Sequence, residues 1–167
     1  MNKEEIIKKI QEKFKDKISI EVDSLEQKIK LLDNTILLPL MKFLKEELSF
    51  NYLMCVTGVD YKDKFGVIYS LSYLPKNLEN VATQPCPRIT IKTDISKDNP
   101  QIHSVSSIYK TAIWHEREVY DLFGIKFIDH PDLRRILLPD DWEGHPLRKD
   151  YVFPEIYHGI KNECKIQ

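Results

Sequence analysis

Cysteine is scarce in this chain of 167 residues: Cys55, Cys86 and Cys164 are odd in number and far apart. That pattern supports neither a disulfide framework nor a CxxC-type metal or cluster site, and gives no set of thiolates able to hold an iron–sulfur centre. Glycine is scarce too. Five glycines, none of them clustered, leave no phosphate-cradling loop and no GxSxG elbow, and no cysteine has a histidine beside it, so nucleophilic catalysis has no candidate. Excess charge of one sign is also missing: 25 basic and 26 acidic residues give a formal charge of -1, which offers no positive field for a phosphate backbone and argues against nucleic acid as a partner. The longest apolar stretch, Ile36 to Met41, contains Pro39 and stops at Lys42, well short of the roughly 20 residues a membrane helix needs. The opening MNKEEIIKKI carries Glu4 and Glu5 and has no apolar h-region. This argues against a secretory signal or an acid-poor transit peptide and sets the expectation of a cytoplasmic protein.

What is present is the composition of a soluble globular domain, 42% apolar and 31% charged. The length suits one domain able to bury about two-thirds of its unfolded surface. From Lys3 to Phe14, Ile6, Ile7, Ile10 and Phe14 recur at helical spacing. Ile18, Ile20 and Val22 alternate as in a half-buried strand, Ile29 and Leu31 continue the pattern, and Asp33-Asn34 supplies a turn. Pro39 fits the first turn of a second helix with Leu40, Phe43, Leu44 and Leu48 inward. Three strands follow, Tyr52 to Val59, Val67 to Leu74 and Arg88 to Thr93, with a proline-bearing surface loop from Pro75 to Pro87. Short connections favour antiparallel pairing. A third helix is expected from about Ser106 to Phe123, capped by Ser104 or Ser106 and closed by Gly124. The layout is α+β, helices packed on a mostly antiparallel sheet. Residues 1–128 are expected to form the compact domain. Residues 129–167, punctuated by Pro131, Pro139, Pro146 and Pro154, form an extended, irregular docking segment.

Charges, aromatics, glycine and proline crowd together without a period from His115 to Tyr151, and such a run needs partners inside or outside the molecule. On a helical wheel of roughly 100° per residue, Val105, Ile108, Ala112, Val119 and Phe123 share one face, and Lys110, Arg117, Glu118 and Asp121 share the other. Two residues sit on the wrong side. Glu116 falls on the apolar stripe, where it is either a structural carboxylate held by Arg134, Arg135 or Arg148, or a tuned acid or base. Trp114 falls on the outer face, to be covered either by the extension or by a partner protein. His115, His130 and His145 lie near Asp129, Asp132 and Glu143 in sequence, but no pair has the short spacing of a metal site. His130 and His145 each precede a proline and read as turn caps. Asp60, after Gly58 at a strand end, reads as a turn-closing residue.

One pattern in this run is specific: Glu116-Arg117-Glu118, two residues, Asp121-Leu122-Phe123, six residues, His130, three residues, Arg134, one residue, Ile136-Leu137. With LPDDWEGHPLRKDY behind it and YLMCVTGVDY, VIYSLSY and HSVSSIYKTAIWHERE ahead of it, the chain resembles the 30-kDa subunit family of respiratory complex I. Bacterial members of that family form the C subunit of the proton-translocating NADH:quinone oxidoreductase. The resemblance implies a small α+β component of the peripheral arm on the cytoplasmic side of the cell membrane, with no catalytic residue and no cofactor of its own. FMN and iron–sulfur clusters would lie on other subunits, and the partners would be the large 49-kDa-type subunit near the quinone site and the cluster-bearing small subunits. The signature and expected interface then comprise Trp114, Glu116, Arg117, Glu118, Asp121, His130, Arg134, Arg135, Trp142, His145, Arg148, Lys149 and Asp150. The chain is expected to be an unfused, short member. A related small subunit occurs in membrane-bound nickel–iron hydrogenases and ion-pumping relatives, which is the alternative reading. A free-standing His/Asp/Glu hydrolase is a third, removed by a metal-free elemental analysis.

Overall fold

The computed structural model describes residues 3–22, 27–75 and 87–161. Helix α1 (Lys3–Phe14) turns Ile6, Ile10 and Phe14 inward, and one 3-10 turn leads into β1 (Ile18–Val22), antiparallel to β2 (Gln27–Leu31). In β2 the alternation is complete: Gln27, Ile29 and Leu31 are buried, Lys28 and Lys30 are not. The Asp33 carboxylate accepts the Thr35 N–H at 2.9 Å and turns the chain. Helix α2 (Leu37–Glu46) then buries Leu37, Leu40, Met41, Phe43 and Leu44, with Pro39 in its first turn as expected.

Strands β3 (Tyr52–Asp60), β4 (Lys64–Ser72) and β5 (Arg88–Ser96) complete a five-stranded sheet of order β1-β2-β5-β4-β3. All neighbours are antiparallel except β2 and β5, which run parallel because α2 and the β3-β4 hairpin intervene before the chain returns. Strand β4 begins at Lys64 rather than at Val67, since Lys64 bonds Asp94 across the ladder at 2.8 Å and the pairing runs on through Gly66. The expected loop from Pro75 to Pro87 lies almost wholly outside the described residues, as do Cys86 and Cys164. Cys55 on β3 is free.

Phe65, Val67, Tyr69 and Leu71 of β4 and Ile89, Ile91 and Ile95 of β5 share one core with α1, α2 and α3. The other face of the sheet carries Lys28, Lys30, Lys64, Lys92 and Asp94. Two short parallel strands, β6 (Gln101–His103) and β7 (Lys126–Ile128), bracket helix α3 (Ala112–Phe123). The helix starts about six residues later than its sequence pattern predicts. Ser104 and Ser106 do not cap it: residues 105–112 make successive turns, and the serine hydroxyls are engaged elsewhere. At the far end Gly124 adopts the expected left-handed conformation, φ 70°, and its N–H closes on Tyr120 O. Beyond β7 no helix occurs among the described residues. The chain crosses α3 as a strap, residues 129–161, that ends in a small hairpin of β8 (Ile156–Tyr157) and β9 (Ile160–Lys161).

Candidate functional site

A helix leaves its last four carbonyls without intrahelical donors. In α3 Gly124 N–H serves the first of these, Tyr120 O, and the strap serves the other three. Asp121 O accepts His145 Nδ1–H at 2.9 Å and Arg135 Nη1–H at 3.3 Å, Leu122 O accepts Leu147 N–H at 3.1 Å, and Phe123 O accepts Arg148 Nε–H at 2.6 Å. Two guanidinium groups thereby sit at the negative end of the helix dipole. Arg148 also lies over the Phe65 ring, 5.0 Å from its centroid. A side chain at position 124 would run into Arg148 and His145, so glycine serves both the left-handed turn and the close approach of the strap.

The Asp121 carboxylate is the centre of the clamp. Its Oδ2 accepts N–H groups from Ile136, Leu137 and Leu138 at 3.0, 2.8 and 2.9 Å, and its Oδ1 accepts Arg135 Nη1–H at 2.6 Å. Arg135 continues to the carbonyls of Trp142 and Gly144. Burial opposes the Asp121 charge, yet these donors hold its carboxyl below the usual aspartate value. Beside it, Arg117 donates to Arg134 O at 3.1 Å and Arg135 O at 2.9 Å and lies 5.4 Å from the Trp114 ring centroid. A second anchor lies farther along. Asp60 closes its turn through Lys62 N–H, as expected, but also accepts Lys149 N–H at 3.0 Å and pairs with Lys97 at 2.9 Å. Against the effect of burial, these donors bring its carboxyl down to about 2.

Glu116 corrects an expectation. No arginine reaches it: Arg134 pairs with Asp132, Arg135 with Asp121, and Arg148 serves Phe123 O. Its carboxylate instead accepts the Ser104 hydroxyl at 2.5 Å and the Val105 N–H at 2.8 Å, with His130 Nε2 3.9 Å away and both side chains fully buried. Burial pushes its carboxyl up to about 7, against the pull of these two donors. His130 caps its turn as its pre-proline position suggests: Nδ1 accepts Asp132 N–H at 3.0 Å and Nε2–H donates to Ile113 O at 3.1 Å. His145 also turns to backbone, and burial with the charges of Arg148 and Arg135 lowers its pKa despite the bond to Asp121 O.

The expected interface set therefore divides. Arg117, Asp121, His130, Arg135, His145 and Arg148 knit the strap to the domain while Glu116 bonds within the domain, and with Glu116, Arg117 and Asp121 buried these seven do not form an outer surface. Trp114 is 62% exposed and the strap does not cover it. Glu118, Arg134, Lys149 and Asp150 are exposed as well. Trp142 packs on Tyr157 and Phe153. Sequence reasoning does not reach the role of Ser104, the contact of Asp60 with Lys149, or the exposure of Leu137, Leu147, Val152 (84%), Phe153, Ile156 and Ile160 (70%). The apolar letters of those six residues stand in the sequence, but not the way they face. Among the described residues no group of three or more His, Cys, Asp or Glu side chains could hold a metal ion.

Together these features define a class: a small α+β domain that ties its own C-terminal chain across one helix and turns apolar side chains outward, the form of an assembly component. The chain belongs to the family described as respiratory-chain NADH dehydrogenase, 30 Kd subunit, whose family model matches residues 31–157. It is 52% identical over 117 residues to the C subunit of NADH-quinone oxidoreductase from Chloroherpeton thalassium, covering 70% of this chain and 45% of that protein. The corresponding C subunit of Chlorobium phaeobacteroides is 51% identical over 117 residues, 69% of this chain and 66% of that protein. Each match thus takes in less than two-thirds of the relative's length. Among solved structures, the trypsin-resistant fragment of Nqo5 is similar with TM-score 0.65 and 29% identity, covering 80% of this chain and 100% of the fragment. A chain of membrane-bound sulfane sulfur reductase, an archaeal respiratory membrane complex, is similar with TM-score 0.69 and 25% identity, covering 89% of this chain and 85% of that chain.

Proposed function

We propose that the chain is a non-catalytic peripheral-arm subunit of a proton-translocating NADH:quinone oxidoreductase. It would scaffold the 49-kDa-type large subunit near the quinone site and take part in electron transfer only within the complex. FMN and the iron–sulfur clusters would be carried by other subunits, and attachment to the cytoplasmic side of the membrane would come through the complex. No helix among the described residues is long and apolar enough to cross a membrane. The observation that carries this reading is the division of labour in the strap. Backbone and guanidinium groups of the strap are engaged by α3 and Asp60, while Leu137, Leu147, Val152, Phe153, Ile156 and Ile160 are exposed. An apolar row displayed on a rigid support needs a partner surface. The contribution to chemistry is placement, since electron transfer and quinone protonation depend on fixed distances among groups held by neighbouring subunits.

The test is co-purification from the native membrane with a tagged chain, identifying partners by mass spectrometry. The large subunit and the cluster-bearing subunits should be recovered. Val152→Ser combined with Ile160→Ser should lose them while leaving the thermal unfolding of the isolated chain unchanged. Undiminished recovery with that double variant would remove the strap from the interface. The likeness to the sulfane sulfur reductase chain supports a second reading, the equivalent subunit of another membrane-bound respiratory complex, with a hydrogenase the less supported form of it. A flavin-site subunit among the recovered partners selects the first reading, nickel-site maturation proteins the second.

A further inference from the structure

The clamp leaves one buried acid without an ionic partner, and its surroundings form a connected path. We infer that Glu116 is a buried proton-binding site whose occupancy is relayed through His130 to the first turn of the strap. This goes beyond the assembly reading and does not depend on it.

In the ionised state the carboxylate accepts Ser104 Oγ–H at 2.5 Å and Val105 N–H at 2.8 Å, while Ser104 Oγ in turn accepts from Ser106, hydroxyl at 2.7 Å and N–H at 3.1 Å. A hydroxyl has one proton, so a proton arriving from solvent on Glu116 Oε2 reverses the chain: the carboxyl O–H donates to Ser104 Oγ, and the Ser104 hydroxyl turns to Ser106 Oγ. In both states Glu116 and Ser104 stay hydrogen-bonded, the Ser106 hydroxyl turning its own proton away from Ser104 in the second, which is what allows the group to titrate inside the core without unfolding it. The link to the strap is His130. Its ring is fixed at both nitrogens, Nδ1 by Asp132 N–H and Nε2–H by Ile113 O, and Nε2 stands 3.9 Å from Glu116 Oε2. A negative Glu116 draws the Nε2–H away from Ile113 O, and any turn of the ring moves the acceptor on which Asp132 rests.

Other groups near the site are committed elsewhere. Tyr69 of β4 is fully buried, its hydroxyl has no hydrogen-bond partner among the described residues, and burial first, then the Glu116 charge, keep it protonated. The Tyr109 hydroxyl donates to Phe50 O at 2.7 Å. Arg117 and Asp121, neighbours on α3, are committed to the strap carbonyls and N–H groups. The position of the Glu116 carboxyl at about 7 agrees with this geometry.

Nuclear magnetic resonance of the labelled full chain, titrated across about pH 5 to 9, tests the relay. The Glu116 carboxyl carbon and the amides of Val105 and Asp132 should move together with one midpoint at about 7. Glu116→Gln should abolish the Val105 and Asp132 transitions in an otherwise folded spectrum. Should that variant not fold, Ser104→Ala serves instead: removing a donor to the ionised form should raise the Glu116 midpoint. A Glu116 carbon that stays flat or titrates in the ordinary carboxylate range, an Asp132 transition that survives Glu116→Gln, or a midpoint unmoved by Ser104→Ala each overturns the proposal.

Discussion

At the scale of single residues, one carboxylate does most of the joining. Asp121 is fully buried and gathers three consecutive backbone N–H groups and a guanidinium. Truncating it leaves four donors with nothing to receive them. Asp121→Ala should destabilise the chain by about 3–5 kcal/mol, the range for breaking a buried pair by removing one member. Asp121→Asn keeps one acceptor oxygen and should lie between that and the parent in urea denaturation. A helical wheel puts Asp121 on the polar side of its helix, and this holds as far as a wheel extends. What the wheel lacks is the strap, which turns the polar face of α3 into a second interior. Glu116 shows the reverse: its misplacement on the apolar stripe is legible in the sequence, but its partner is not. Ser104 is twelve residues away and Val105 contributes only backbone, so no pairing of charged letters could point to them.

Helix α3 is held between the sheet below and the strap above, and both contacts can be probed. On the sheet side, Gly58 of β3 lets α3 approach closely: a Cβ there would stand 2.6 Å from Phe123 Cδ2 and 3.0 Å from Val119 Cγ1. Gly58→Ala should therefore cost about 1–3 kcal/mol, as overpacking does, read as a lower thermal midpoint. On the strap side, the two anchors are acid-sensitive. Asp60 and Asp121 have carboxyls below their ordinary value of 3.8 when folded. Their contribution is present above that value and is lost as the pH falls below it, for Asp60 toward about 2, because the unfolded chain takes up protons first. Hydrogen exchange of the Leu137 and Lys149 amides, followed from about pH 5 downward, should show protection falling in that window while the β4 amides hold longer.

For the whole molecule, the sheet divides the surface into unlike sides. One face, beneath α1, α2 and α3, is the core. The other is a field of lysines and carboxylates in which Lys30 and Lys64 share Asp94 at 3.0 and 2.8 Å; such exposed pairs contribute little to stability. The apolar side chains left outside the core are concentrated on the strap and at Trp114. Individually an exposed leucine means nothing, but a row of them on chain whose backbone is already pinned presents a surface ready to be covered. That is why the Val152→Ser and Ile160→Ser double variant should separate assembly from folding: both residues are exposed in the chain by itself, so the loss should appear only when a partner is present.

Local order is written in the chain. The inward stripe of α1, the alternation of β2, the proline at the start of α2 and the left-handed glycine after α3 each follow from side-chain periodicity or backbone sterics acting over a few residues, and the α+β class follows from their succession. The contacts that create the clamp span from 14 to 89 residues, Arg135 to Asp121 and Lys149 to Asp60 at the extremes. Most of them have a backbone N–H or carbonyl on at least one side, groups that no letter distinguishes. Periodicity reports which way a side chain faces relative to its own element. Only the folded chain decides what lies opposite, and here that decision turned Glu116, Arg117 and Asp121 inward and left Glu118, Arg134, Lys149 and Asp150 outside with apolar side chains of the strap.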